Sequence, residues 1–238
     1  MNAYSGPRTD GVLAGLLALL WAAPAGILAA GGSGLPAPGS LNDPVRALPA
    51  IGASPALTVV AATILATGVV QVLVVIALDD RLAGRSRRQR HLAAAFGIVS
   101  GSFLMLDGAL GVTALPQLAH LNSGQAAVDG AYLATLGMRN GIDRVIPLTL
   151  GMWALMVHWP AWRYRDLPRP LTVLGLLLGA AGVAGSALPE AGTASVLLAI
   201  LWAAAFALAA RPRSLPARGA SPKKKDGGPG GPPSTPWG

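Results

Sequence analysis

The sequence predicts an all-α protein, a polytopic membrane bundle of six transmembrane helices with both the N- and C-termini in the cytoplasm. Three observations predict it. The chain of 238 residues is 53% hydrophobic and only 12% charged, with a mean hydropathy of +0.54, too apolar for a soluble domain of this length. Six stretches are nearly free of charge over the roughly 20 residues that a helix needs to cross about 30 Å of hydrocarbon. Finally, the basic residues gather on one set of connections.

The charge-free stretches place the elements. Residues 11 to 42, 47 to 78, 92 to 106, 145 to 162, 170 to 189 and 191 to 210 contain no Lys, Arg, Asp or Glu. The third is interrupted by Asp107 and resumes as apolar sequence to about Leu115. Spans are therefore expected near 12–30, 55–78, 92–115, 143–161, 171–188 and 191–210. Runs such as Leu171 to Leu178 and Ser195 to Ala209 are apolar on every face, whereas a spanning β-barrel would alternate polar and apolar residues. The first span has a rival reading as a signal peptide cut near Ala23-Pro24-Ala25 or Leu28-Ala29-Ala30, which would leave five spans. Against cleavage stand a single basic residue, Arg8, offset by Asp10, and an apolar stretch long for a signal peptide.

With six spans, one side of the membrane receives Arg8, then Arg81, Arg85, Arg87, Arg88 and Arg90, then Arg163, Arg165 and Arg169, and finally Arg211, Arg213, Arg218, Lys223, Lys224 and Lys225. Those are 15 of the 18 Lys and Arg, and the other side keeps only Arg46, Arg139 and Arg144. Such asymmetry is the signature of basic loops retained in the cytoplasm. Trp159 and Trp162 fall where the fourth span leaves the inner leaflet, as interfacial aromatics do.

Two segments read as irregular. Residues 211–238, rich in Pro, Gly, Ser and Lys, cannot bury a core and read as a disordered basic tail. The connection from about Gly31 to Pro55 reads as an extended outer loop. The net charge of +8 lies in cytoplasmic loops and tail, so anionic lipid headgroups are the expected partner rather than nucleic acid.

Small residues recur at helical spacing: Gly11 and Gly15, Gly97 and Gly101, and Gly175, Gly179 and Gly182. Such stripes let helix backbones approach closely in lipid. They serve equally well as seams within the bundle or as contacts with a second copy or another membrane protein.

Polar residues within the spans are the candidate functional groups. A carboxylate at Asp107 is costly in a membrane unless paired, protonated or wetted. Its expected partner is Arg144 at the outer start of the fourth span, next to Asp143 and Asn140. The preceding outer connection holds His120, Asp129, Tyr132 and Arg139, and its run from Ala126 to Leu136 is expected as a short amphipathic helix lying on the bundle. Asp107, Arg144, Asp143, Asn140, His120, Asp129, Tyr132 and Arg139 would then together line a polar cavity open to the outside. An alternative is that the Asp107 pair only fixes helix register. Thr63, Thr67 and Gln71 share one face of the second span, as interhelical glue or as a pathway lining. In the second case that face points toward Asp107.

Several chemistries find no residues. The absence of cysteine removes thiolate nucleophiles and cysteine metal sites. His91 and His158 are expected near the inner surface, with no pairing that calls for a metal or haem cofactor. Phosphate-loop, metalloprotease and nucleophile-elbow motifs are missing. A serine–histidine dyad lacks a deep histidine.

From residue 55 to 210 the chain resembles an uncharacterised bacterial family of six-span membrane proteins known only as a domain of unknown function. The resemblance lies in Phe96-Gly97-Ile98-Val99-Ser100-Gly101, Asp129-Gly130-Ala131-Tyr132, Leu150-Gly151-Met152-Trp153-Ala154-Leu155 and Pro170-Leu171-Thr172-Val173-Leu174-Gly175-Leu176-Leu177-Leu178-Gly179. It implies the topology and a bacterial plasma membrane, and it transfers no catalytic residue. The function expected first is a non-enzymatic membrane assembly or modulatory protein. A small-solute or ion transporter using Asp107, Arg144, Thr67 and Gln71 is second, and a membrane enzyme acting on lipid third.

Overall fold

The computed structural model describes residues 7–30, 42–82, 86–121 and 125–210. The predicted tail at 211–238 lies outside them, as does the first part of the predicted outer loop. Among the described residues there are seven helices and no strand. They are α1 (Pro7–Ala30), α2 (Pro44–Ala53), α3 (Pro55–Arg81), α4 (Arg87–His120), α5 (Ala126–Tyr164), α6 (Arg169–Gly185) and α7 (Pro189–Ala209).

The six long helices alternate in direction and close into a ring. In order, α1 packs on α3, α3 on α4, α4 on α5, α5 on α6, α6 on α7, and α7 returns to α1. One end of the ring, the upper end, collects the end of α1, the start of α3, the α4–α5 turn and the α6–α7 turn. The lower end collects the α3–α4 and α5–α6 turns. Helices α1, α3, α4 and α7 are long and apolar enough to cross a membrane, while the equally apolar α6 has only 17 residues.

Glycine makes the close seams between neighbours. Along α3 and α4, a Cβ on Gly68 would strike the carbonyl of Gly101, and one on Gly108 would strike the backbone of Leu65. Along α5 and α6, a Cβ on Gly175 would overlap the His158 ring, Gly179 faces Leu155, and Gly182 faces Pro147 and Gly151. Gly11 and Gly15 face Ala207 on α7. Every glycine stripe seen in the sequence is thus used inside the bundle. Lipid offers apolar side chains no incentive to leave it, so dispersion at such close approach carries the association.

Two elements differ from the sequence expectation. The connection before residue 55 is not an extended loop throughout, because α2 occupies Pro44–Ala53. Asp43 caps it by accepting from the Val45 N–H at 3.1 Å, and Pro44 holds the first helical position, where a missing N–H costs nothing. Ala47, Leu48 and Ile51 then pack on Val128 and Tyr132 of α5, with Leu115 and Leu118 of α4 alongside. The second difference is that Ala126 to Leu136 is no separate helix lying on the bundle. It is the first part of α5, which runs unbroken for 39 residues, or about 58 Å at 1.5 Å per residue. Helix α2 docks on the end of α4 and the start of α5.

At its lower end α5 stops at Arg165, whose left-handed backbone (φ 57) lets its N–H reach the Ala161 carbonyl at 2.9 Å. Trp159 and Trp162 are exposed nearby. The core of the ring is mainly aliphatic, with an aromatic cluster set into it. Trp202 on α7 stacks on Phe206 and meets Trp153 and His158 edge-on.

Candidate functional site

Asp107 and Arg139 form a two-pronged ion pair within the bundle. Asp107 faces inward from α4, its side chain only 4% exposed. Arg139 projects from α5 and binds it with both prongs, Nε to Oδ1 at 2.5 Å and Nη2 to Oδ2 at 3.0 Å. A planar guanidinium matched to a carboxylate in this way fixes distance and rotation together. The pair therefore ties α4 to α5 at a set register. The expected partner, Arg144, is not the one used. Because α5 is helical from Ala126, Arg139 already lies on its inward face, whereas Arg144 is displaced by five residues, more than one turn, to another side.

Arg144 instead lines a cavity of about 750 Å³ at the upper end of the ring. All six ring helices contribute to its wall: Trp21 and Pro24 from α1, Thr67 from α3, Asp107 from α4, Asn140, Asp143 and Arg144 from α5, Ser186 at the end of α6, and Thr193 and Ser195 from α7. Asn140, Asp143 and Arg144 are exposed. Arg144 has no hydrogen bond or ion pair among the described residues, so its charge is available to whatever enters. Hydroxyls on the wall are committed to their own helices: Thr67 Oγ1 donates to the Thr63 carbonyl at 2.8 Å and Ser195 Oγ to that of Gly192 at 2.7 Å. They present lone pairs to the cavity. Two prolines also sit there. Pro24 and Pro147 have no N–H for the carbonyls of Leu20 and Asp143, one turn earlier, and both of those residues line the cavity as well. Carbonyls that lose their usual helical donor are tolerated at membrane depth where they face such a space.

The other sequence candidates separate. Thr67 and Asp107 do share the cavity, as the pathway reading of the α3 face requires. Gln71, one turn further down α3, is 2% exposed and lines a much smaller space beneath. Tyr132 does not line the cavity. It is buried under α2, where it holds that helix to α5.

No family model, curated protein or solved structure matches the chain.

His158 is the functional-type residue whose setting sequence reasoning missed. It is fully buried, not interfacial. The Trp202 indole N–H donates to its Nε2 at 2.9 Å, while Nδ1 lies 2.9 Å from the Ala154 carbonyl. An indole only donates, so Nε2 is the acceptor and the proton sits on Nδ1, donated to Ala154. Both ring nitrogens are thus occupied in packing α5 against α7. Among the described residues, no group of three or more His, Asp or Glu is placed to hold a metal.

Proposed function

We propose that this chain crosses the membrane six times, with the lower end of the ring cytoplasmic, and that it carries a small solute entering from the opposite face. Support for six spans comes from the outer surface of the ring. Every ring helix exposes large apolar side chains, among them Leu19 on α1, Ile76 on α3, Leu106 on α4, Leu148 on α5, Leu177 on α6 and Leu201 on α7. A continuous apolar belt of this kind suits lipid and not water. Arg87, Arg88, Arg90, Arg163, Arg165 and Arg169 lie at the lower end, against Arg46, Arg139 and Arg144 at the upper. That distribution supports the orientation. A bacterial plasma membrane is proposed on the family resemblance alone.

The observation that carries the transport reading is the cavity, which combines ligand-sized volume, walls from all six ring helices and an arginine with no ion pair among the described residues. Binding sites of this size are mostly apolar with a few placed polar groups, and the interfaces of membrane bundles are where solutes bind. An assembly role has less behind it, since the glycine stripes that suggested contacts with partners are consumed within the ring.

Purified protein in proteoliposomes, offered labelled glycine, glycerol, urea and inorganic phosphate, tests the reading. At least one solute is expected to enter faster than into protein-free vesicles, and Arg144→Gln to slow that entry tenfold or more. Entry of all four at the protein-free rate would overturn it.

A further inference from the structure

Beneath the cavity the bundle contains a polar group with nothing to bind. Gln71 is buried to 2% exposure, yet among the described residues neither its Nε2 nor its Oε1 has a hydrogen-bond partner. An amide left unsatisfied in both directions is rare in a packed interior and calls for a missing partner. It faces a space of about 10 Å³ walled by apolar and aromatic side chains including Val74, Trp153, Leu178 and Trp202. That is about the room one water or one hydroxyl needs. Trp21 and Leu150 line both this space and the large cavity above. Val75 and Trp153 line both it and a second space of about 10 Å³ below, which reaches the Asp79–Arg90 pair at the lower end. The three spaces thus follow one another down the ring.

Resting on the transport reading, we propose that Gln71 is a hydrogen-bonding subsite on an inward route for small uncharged solutes, entered from the cavity past Trp21 and Leu150. The charge pattern selects the solute class. Asp107 is paired with Arg139, and the remaining wall charges, Asp143 and Arg144, are one of each sign, so the cavity has no net charge to concentrate either cations or anions. At Gln71 the wall offers one neutral amide and no charge. An ion would shed its hydration there without a counter-charge, which is prohibitive. A hydroxyl or amide group both donates and accepts, and it satisfies the two orphaned atoms. With only about 10 Å³ at the subsite, the route is closed below the cavity in this conformation, and passage requires the Trp21 ring or Leu150 to move.

Stopped-flow light scattering on proteoliposomes, with glycerol and urea as the neutral probes and labelled glycine and inorganic phosphate as charged ones, tests this. Glycerol or urea flux is expected above that of protein-free vesicles, reduced at least tenfold by Gln71→Met and raised by Trp21→Ala. Gln71→Met removes two unsatisfied buried groups without changing side-chain length, so its Tm is expected to be no lower than the parent's. An unchanged neutral flux in a folded Gln71→Met protein would overturn the assignment of Gln71. Uptake of glycine or phosphate with neutral solutes at the protein-free rate would overturn the solute class while leaving transport standing. No flux of any probe would overturn both.

Discussion

Replacing Asp107 by Asn leaves the Arg139 guanidinium facing a neutral amide at the α4–α5 seam. Removing one partner of a buried pair costs about 3–5 kcal/mol, because the other charge stays desolvated and uncompensated. Here the Arg139 side chain keeps 24% exposure against 4% for Asp107, so part of the penalty is relieved and the low end, about 3 kcal/mol, applies. For a chain of this size that corresponds to a Tm loss of roughly 6–12 °C. Thermal unfolding in detergent micelles, followed by circular dichroism, measures it. The paired replacement Asp107→Leu with Arg139→Met removes both charges and is expected to recover most of the loss, giving a coupling of about 2 kcal/mol or more in a double-mutant cycle. Arg144→Gln, which breaks no contact, is expected within about 0.5 kcal/mol of the parent. A coupling near zero, or an Arg144→Gln protein as unstable as Asp107→Asn, would refute the assignment of Arg139 as the partner.

Three further outcomes follow from packing. Gly175→Ala drives a Cβ into the His158 ring, and overpacking of that kind is expected to cost about 1–3 kcal/mol in the same unfolding assay; no loss would mean the α5–α6 seam is looser than described. His158→Leu strands the Trp202 N–H and is expected to cost about 1–3 kcal/mol, while His158→Gln, which keeps an acceptor, recovers part of it; equal stability of the two variants would count against the His158–Trp202 hydrogen bond. Tyr132→Ala removes the side chain on which α2 rests, so amide exchange across Val45 to Ala53 is expected to accelerate while the centre of α5 stays protected. Acceleration spread evenly over the ring would contradict a separate docking role for Tyr132.

The helical character of the ring was legible because a lipid-facing helix must be apolar over its whole length, which charge-free stretches reveal directly. Glycine spacing likewise pointed to seams, though only the structure shows that Gly97 meets Val75 and Trp153 within the same chain. The polar start of α5 hid the rest. Asp129, Arg139, Asp143 and Arg144 made 126–142 look like a connection, and that misplaced the partner of Asp107. A signal was present: Val128, Tyr132, Arg139, Ile142, Ile146, Leu150, Trp153 and Val157 fall at three-, four- and seven-residue steps, a helical stripe that crosses the expected boundary at 143 without a break. The Asp43-Pro44 start of α2 was also readable as a cap, but Pro49 and the surrounding Gly and Pro obscured the short stripe of Ala47, Leu48 and Ile51. No local pattern predicts His158 against Trp202. That contact joins residues 44 apart, and it exists only because the ring brings α5 and α7 together.

In the proposed six-span ring the cavity opens on the face opposite the basic end. Because the chain has no cysteine, single-cysteine labelling tests it directly. In intact cells a membrane-impermeant maleimide is expected to label Asn140→Cys and Ala187→Cys, both exposed on the cavity wall. Arg88→Cys and Arg163→Cys at the lower end are expected to react only after permeabilisation. Labelling of Arg88→Cys in intact cells, or failure of Asn140→Cys and Ala187→Cys to react until the membrane is opened, would contradict the account.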